Sequence, residues 1–343
     1  VSDAEVTPEG QRNVVPDREA RMWSGTGSGD GSGRRRRKRE DHAFTSYYGK
    51  PIINPPVWEE REIGGYLFTG GLAGASSIIA AGADLTARPT MARACKLCAS
   101  GAISVSLLAL VHDLGRPARF LNMLRVFKPS SPMSIGVWLL FVYGPLCFLS
   151  AASEITGIAS RSGRAAGVGA GVLGAGVASY TAALISDTAV PAWHEAHREL
   201  PFLFVGSAAS AGAGFALLTA PVVETAPVRA LAAVGACAEL IAEQLMERRL
   251  GMIAETLETG PAGRKMRAAK GLTAAGALGA VFAGRTRRGA AAAGAALVAG
   301  SLLTRLGIFE AGMASAQDPK YTVVPQRERL AARADQPAPA HAG

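Results

Sequence analysis

HDLGRPARFLNMLRVFKPSSPMSIGVW, residues His112–Trp138, decides how this chain is read. The stretch opens on a His–Asp pair, carries Arg116, Arg119, Arg125 and Lys128, and returns to apolar sequence through Ser131–Pro132. Nearly uncharged runs stand on both sides of it, at 94–111 and 133–157. A helix of about twenty apolar residues crosses a hydrocarbon core of about 30 Å. A polar loop this dense in chemistry, held between two such runs, reads as a site at a membrane surface.

Outward from the loop the pattern repeats. Apolar runs lie near 62–83, 94–111, 133–157, 165–186, 201–223, 227–247, 270–284 and 289–311. The seventh is short and stops at Arg285, Arg287 and Arg288. Charged residues are 18% of the 343, against about 25% in soluble domains, and they collect at the two ends and in the connections. Lipid cannot satisfy an open backbone, so the runs must be helices. The expected fold is an all-α integral membrane protein of about eight transmembrane helices in an inner or plasma membrane. Residues 1–50 form a basic tail too polar to bury a core, 51–312 the membrane domain, and 313–343 a polar tail. The first run follows too much polar sequence to be a cleaved signal peptide. The basic run Arg34–Arg39 has no apolar segment directly after it, which argues against a twin-arginine signal. Trp58, among Pro55, Pro56 and Glu59, suits a membrane interface.

The net charge of +9 fits a polytopic protein better than a nucleic-acid binder, because Lys and Arg gather on the cytoplasmic side. An even number of spans puts both termini on one face. Arg34–Arg39, the 112–132 loop, the 248–270 loop and the tail load that face with base, so the termini are expected in the cytoplasm. Gly70–Gly74 and Gly167–Gly171 are small-xxx-small spacings that let helices approach closely.

Chemistry is sparse. His42, His112, His194, His197 and His341 all fall outside the middles of the spans. A membrane cytochrome needs axial His within its helices, so no haem is expected. Cys95 and Cys98 form a lone CxxC, and Cys147 and Cys237 lie in apolar runs. No metal site and no iron–sulfur cluster is expected from four such residues. HEAHRE (His194–Glu199) lacks the HExxH spacing of a zinc site. The remaining candidates are polar groups at membrane edges. His112 can exchange protons near neutral pH, Asp113 stands beside it, and Arg116 can hold Asp113 ionised. Tyr180 lies inside the fourth run, before the loop Asp187–Leu200, and a buried phenol seeks a hydrogen-bond partner. Glu62 and Tyr66 are one turn apart at the start of the first run. Glu239 and Glu243 repeat that spacing inside the sixth, beside Gln244, with Arg305 as a possible partner. Carboxylates at such depth face a bundle interior and can serve a proton relay or a neutralised structural pair. Glu154 in the third run is similarly open.

Four stretches together carry a resemblance: Pro55–Ser76, His112–Trp138, Tyr180–Phe204 and the late acidic run with Glu239. Over roughly 51–315 the chain resembles the NrfD/polysulfide reductase membrane-anchor family. The resemblance implies eight helices in two bundles, no haem, and a bound quinone, menaquinone or ubiquinone. The quinone would lie near the face that docks an iron–sulfur subunit, with a catalytic, molybdopterin-type subunit beyond. Carried over by position, it implies Glu62, Tyr66, His112, Asp113, Arg116 and Tyr180 as the quinone pocket. The formate, polysulfide or nitrite chemistry of anaerobic respiration would belong to the partner. The long Arg-rich N-terminus departs from the family pattern. The other reading the residues leave open is a proton-coupled secondary transporter, which would be expected to show internal repeats or broken helices.

Overall fold

The computed structural model describes residues 6–7, 10–11, 52–53, 56, 58, 60–113 and 122–334. The chain divides into two compact units, Pro56–Ser315 on the one hand and Val1–Pro55 with Ala316–Gly343 on the other.

The larger unit is helical and runs up and down. A π-helical turn, Glu60–Gly64, leads into α1 (Gly65–Leu85), which is followed by α2 (Pro89–Asp113), α3 (Pro132–Thr156) and α4 (Ser160–Ser186). A short α5 (Pro191–Glu195) precedes α6 (Leu200–Thr219) and α7 (Ala226–Leu250). The one-turn α8 (Glu255–Glu258) leads to α9 (Gly260–Phe282) and α10 (Arg287–Gln317). Six of these helices, α1 with the turn before it, α2, α3, α4, α6 and α10, are long and apolar enough to cross a membrane. This is a multi-pass, all-helical membrane protein.

The run at 227–247, clear in sequence, is not among the six. Its helix α7 buries two carboxylates among small and apolar residues and exposes several large apolar side chains. Glu239 and Glu243 are each 1% exposed, whereas Val234, Ile241 and Leu245 stand out. The short seventh run is the second half of a longer helix, α9, whose first half holds Arg264, Lys265, Arg267 and Lys270.

Packing sorts the helices into α1–α4 and α6, α7, α9 and α10, with α1 and α4 also lying against α6. Small residues make this possible. Gly74 meets the backbone of Gly174 where α1 crosses α4, and Gly214 meets that of Gly294 where α6 crosses α10. Gly206 and Gly235 do the same between α6 and α7. Within the first group, Lys96 of α2 bridges Asp84 of α1 and Glu154 of α3, at 2.8 Å to each. The connections at one end are short. Residues 86–88 join α1 to α2, and 157–159 join α3 to α4. The second turn uses Gly157 at φ 73°, a conformation glycine adopts without steric cost. At the other end α2 stops at Asp113 and α3 starts at Pro132.

In the smaller unit, the described residues include a two-stranded antiparallel pair and a C-terminal helix. β1 (Val6–Thr7) and β2 (Gly10–Gln11) pair with Val6 opposite Gln11, and α11 spans Lys320–Ala334.

Candidate functional site

A cavity of about 490 Å³ opens where α1 and α3 begin and α2 and α4 end. Its wall is mostly apolar and includes Ile63, Leu67, Leu110, Met123, Met133, Val137, Leu140, Leu184 and Ile185. Polar groups reach it at a few points: Tyr66, Tyr180, Ser131, Asp187 and Thr188. An apolar cleft with few convergent polar groups is the usual form of a small-molecule site.

The two phenols meet. Tyr66 and Tyr180 share a hydrogen bond between their hydroxyls. Tyr66 is 2% exposed. Tyr180 lies where it does because residue 136 is glycine. A Cβ there would stand 2.8 Å from Tyr180 Cδ2, closer still to Cε2, so the ring rests on the bare backbone of α3. Sequence spacing placed Glu62 and Tyr66 on one helical face. In the structure they take different partners from two helices: Tyr66 joins Tyr180, and Glu62 joins His112 Nδ1. Neither member of that second pair lines the cavity, although the wall residues Ile63 and Leu110 are close to them in the chain. His112 is the exposed member and Glu62 the shielded one.

Tyr66 and Tyr180 therefore meet in the cavity wall, whereas Glu62 and His112 pair with each other at the same end of the helices, outside its lining. Asp113 is the last residue of α2, and its side chain lies outside what the structure describes. Arg116 falls outside the described residues altogether. Glu239 and Glu243 are elsewhere, on α7. Glu239 accepts a hydrogen bond from Thr304 at 2.7 Å. Glu243 faces Lys270 at 3.6 Å, and Lys270 also reaches Glu247 at 2.8 Å. Arg305, the possible partner of these acids, interacts electrostatically with Glu239 and donates to the Phe204 carbonyl at 2.6 Å, with its guanidinium 3.7 Å over the Phe204 ring.

Trp58 has a larger part than a surface anchor. It lines the cavity and stacks on Trp193, with ring centres 6.0 Å apart and planes 21° from parallel. Trp193 is buried, donates to the Ile308 carbonyl at 2.8 Å, and packs against Phe309. The notch at Gly312 admits its indole. Trp193 does not line the cavity, so it backs the wall that Trp58 presents. Nothing in the spacing of the two tryptophans, 135 residues apart by number, signals this contact.

His194 and His197 hydrogen-bond to the Ser186 and His194 carbonyls. Among the described residues no group of three or more His, Cys, Asp or Glu could hold a metal ion. Cys95 and Cys147 are packing residues, as expected, whereas Cys237 is exposed on α7. The triad of Lys96, Asp84 and Glu154 was missed in sequence except for Glu154. A lysine seven residues into an apolar helix was the available signal.

Fold and site define a polytopic membrane protein with a largely apolar cavity at one end of a four-helix group. The pattern of the family described as "Polysulphide reductase, NrfD" matches residues 53–234, over half of the chain, and the chain belongs to that family. The matched segment holds every helix around the cavity. Members are membrane-anchor subunits of polysulfide reductase-like oxidoreductases. No curated protein matches the chain.

Proposed function

We propose that this chain is the quinone-reactive anchor subunit of such a complex and that the cavity beside Tyr66 and Tyr180 is its quinone site. One observation supports this above the others. A hydrogen-bonded phenol pair lines an apolar cavity, and a His–carboxylate pair stands at the same end of the helices, inside the part of the chain that defines its family. The residues fit a quinone ring. The apolar wall accepts its faces and isoprenoid tail, and a tyrosine hydroxyl can donate to a ring carbonyl.

A quinone supplies a couple of two electrons and two protons. This chain contributes the proton side. Tyr66 and Tyr180 hold donors at one edge of the cavity. Glu62 and His112 hold an exchangeable proton at the same end of the helices, where His112 reaches solvent. Asp113 and Arg116 belong to the same edge in this reading. Electrons pass to or from an iron–sulfur partner docked at this face, with a molybdopterin-type subunit beyond it. Glu239 and Glu243, with Glu247 at the next turn, mark one side of α7 and form a relay from the bundle interior toward the same face. The loop charges put that face and both termini in the cytoplasm.

Extraction of the purified chain with organic solvent is expected to release menaquinone or ubiquinone in near-equal molar amount. In the intact complex, His112→Ala or Asp113→Asn should slow quinone-coupled turnover by about 10²–10⁴-fold, the usual worth of a positioned acid–base group. Electron transfer from substrate to a dye that accepts upstream should stay near its starting rate. Normal quinone-coupled rates in both variants, with the complex assembled, would remove these residues from the site. No quinone in the extract and none retained when added would remove the site itself.

A further inference from the structure

The face opposite the cavity is formed by the short connections 86–88, 157–159, 220–225 and 283–286. They are tied to one another. Glu224 accepts from the amides of Thr90 and Met91 at the start of α2, and Arg287 donates to the carbonyls of Leu217, Leu218 and Ala220 at the end of α6. Four helices begin on this face: α2, α4, α7 and α10. None carries an acid in its first turn. A helix N-terminus has partial positive charge and favours acids. Arginines crowd these ends instead: Arg88 and Arg93, Arg161 and Arg164, Arg229, and Arg285, Arg287 and Arg288.

The acids described at this end are Asp84, Glu154 and Glu224, and all are engaged. The first two hold Lys96 and the third caps α2. Among the described residues, Arg93, Arg161, Arg164, Arg285 and Arg288 are exposed with no carboxylate partner. Large apolar side chains are exposed at the same helix ends and turns: Leu85, Ile155, Ile158, Val223 and Phe282, each from 64% to 87% exposed. Like charges at helix ends that already repel them need an anion from outside. Apolar tips at the same level need hydrocarbon. One surface supplies both, and short turns between membrane-crossing helices place this face at its depth.

We infer that this face binds the phosphate headgroups of anionic phospholipids, with Arg161, Arg164, Arg285 and Arg288 as principal ligands. Guanidinium pairs with phosphate through two parallel hydrogen bonds, and basic residues near an anionic leaflet add attraction. Leu85, Ile158 and Phe282 then sit at the boundary of the acyl chains.

The test compares the full chain in nanodiscs of phosphatidylcholine alone and of phosphatidylcholine mixed with phosphatidylglycerol. The wild type should unfold at a higher temperature in the anionic discs, and added salt should reduce the shift. Replacing Arg161, Arg164, Arg285 and Arg288 together by Gln should abolish the shift while leaving the midpoint in pure phosphatidylcholine unchanged. Lysine at the same four positions should restore most of it. Arg125→Gln with Arg248→Gln, on the cavity face, should leave it intact. If the Gln variant does not fold, native mass spectrometry of the Lys variant and of the pair Arg161→Gln with Arg164→Gln decides, through loss of retained phosphatidylglycerol in the second alone. A wild type indifferent to phosphatidylglycerol, or a Gln variant that keeps the whole shift, would overturn the inference. The first result would leave an acidic protein as the occupant.

Discussion

Gly136 is where a single hydrogen in place of a methyl positions a ring. The Tyr180 phenol occupies the volume that any Cβ would need, and its hydroxyl is the partner of Tyr66. Gly136→Ala should therefore push Tyr180 off Tyr66. Overpacking of this kind costs about 1–3 kcal/mol. Thermal unfolding should show that loss, and quinone-coupled turnover should fall while dye-linked turnover holds. Gly101→Ala makes the control. It has open space around it, and an alanine inside a helix gains about 0.5–1 kcal/mol over glycine. The residues of the site were legible in sequence as types: a tyrosine in an apolar run, an acid and a tyrosine at a span's start, a histidine at a span's end. Their pairing was not. Spacing along one helix says which side chains share a face, and says nothing about which helix that face meets. Glu62 and Tyr66 looked like neighbours serving one partner, and each found its own.

At the scale of the helix, the small-residue spacings were visible but their partners were hidden. Gly70 faces Ser106 of α2, while Gly74 faces Gly174 of α4. Gly167 faces Ser150 of α3, while Gly171 faces Ala81 of α1. One stripe thus serves two neighbours. The crossing of α6 on α10 is the tightest in its group, with each glycine against the other's carbonyl. Gly214→Leu should part these helices, because the obstacle is backbone and cannot rotate away. Purified in detergent, this variant should unfold well below the wild type or fail to accumulate, whereas Gly271→Leu, in open space on α9, should resemble the wild type. Helix α7 shows why mean hydropathy understates a span. It buries Glu239 and Glu243 among small and apolar residues such as Ala242 and Met246 and exposes Val234, Ile241 and Leu245, so an average along the chain does not say which side chains face outward.

For the molecule as a whole, the alternation of helices gives two unlike ends. One has the cavity and the His112–Glu62 pair. The other has short turns and arginines. The proposed topology, argued from loop charge, has the first in the cytoplasm with both termini. Cysteines introduced at Ser32 and at Ser162, which is exposed at the start of α4, should label from opposite sides of intact cells, Ser162 from outside. Labelling of Ser32 alone from outside would invert the molecule and move the proposed docking face with it. The fold class and the family were legible because apolar length and the His112–Trp138 loop are local properties of the sequence. The grouping of helices was not, since α1 packs on α2, α4 and α6 at once through residues that carry no label for any of them.

The Trp58–Trp193 stack makes occupancy of the cavity visible to light. Of the described tryptophans, Trp58, Trp138 and Trp193, Trp58 is the one in the cavity wall. Quinone rings quench indole emission at close range, so a ring seated against Trp58 dims it first, and Trp193 behind it next. Trp138, which is engaged with Phe127 and Phe141 and absent from the wall, stays bright by comparison. The wall that shapes the site is thus also its reporter, and titrations can be followed without a dye or a partner subunit.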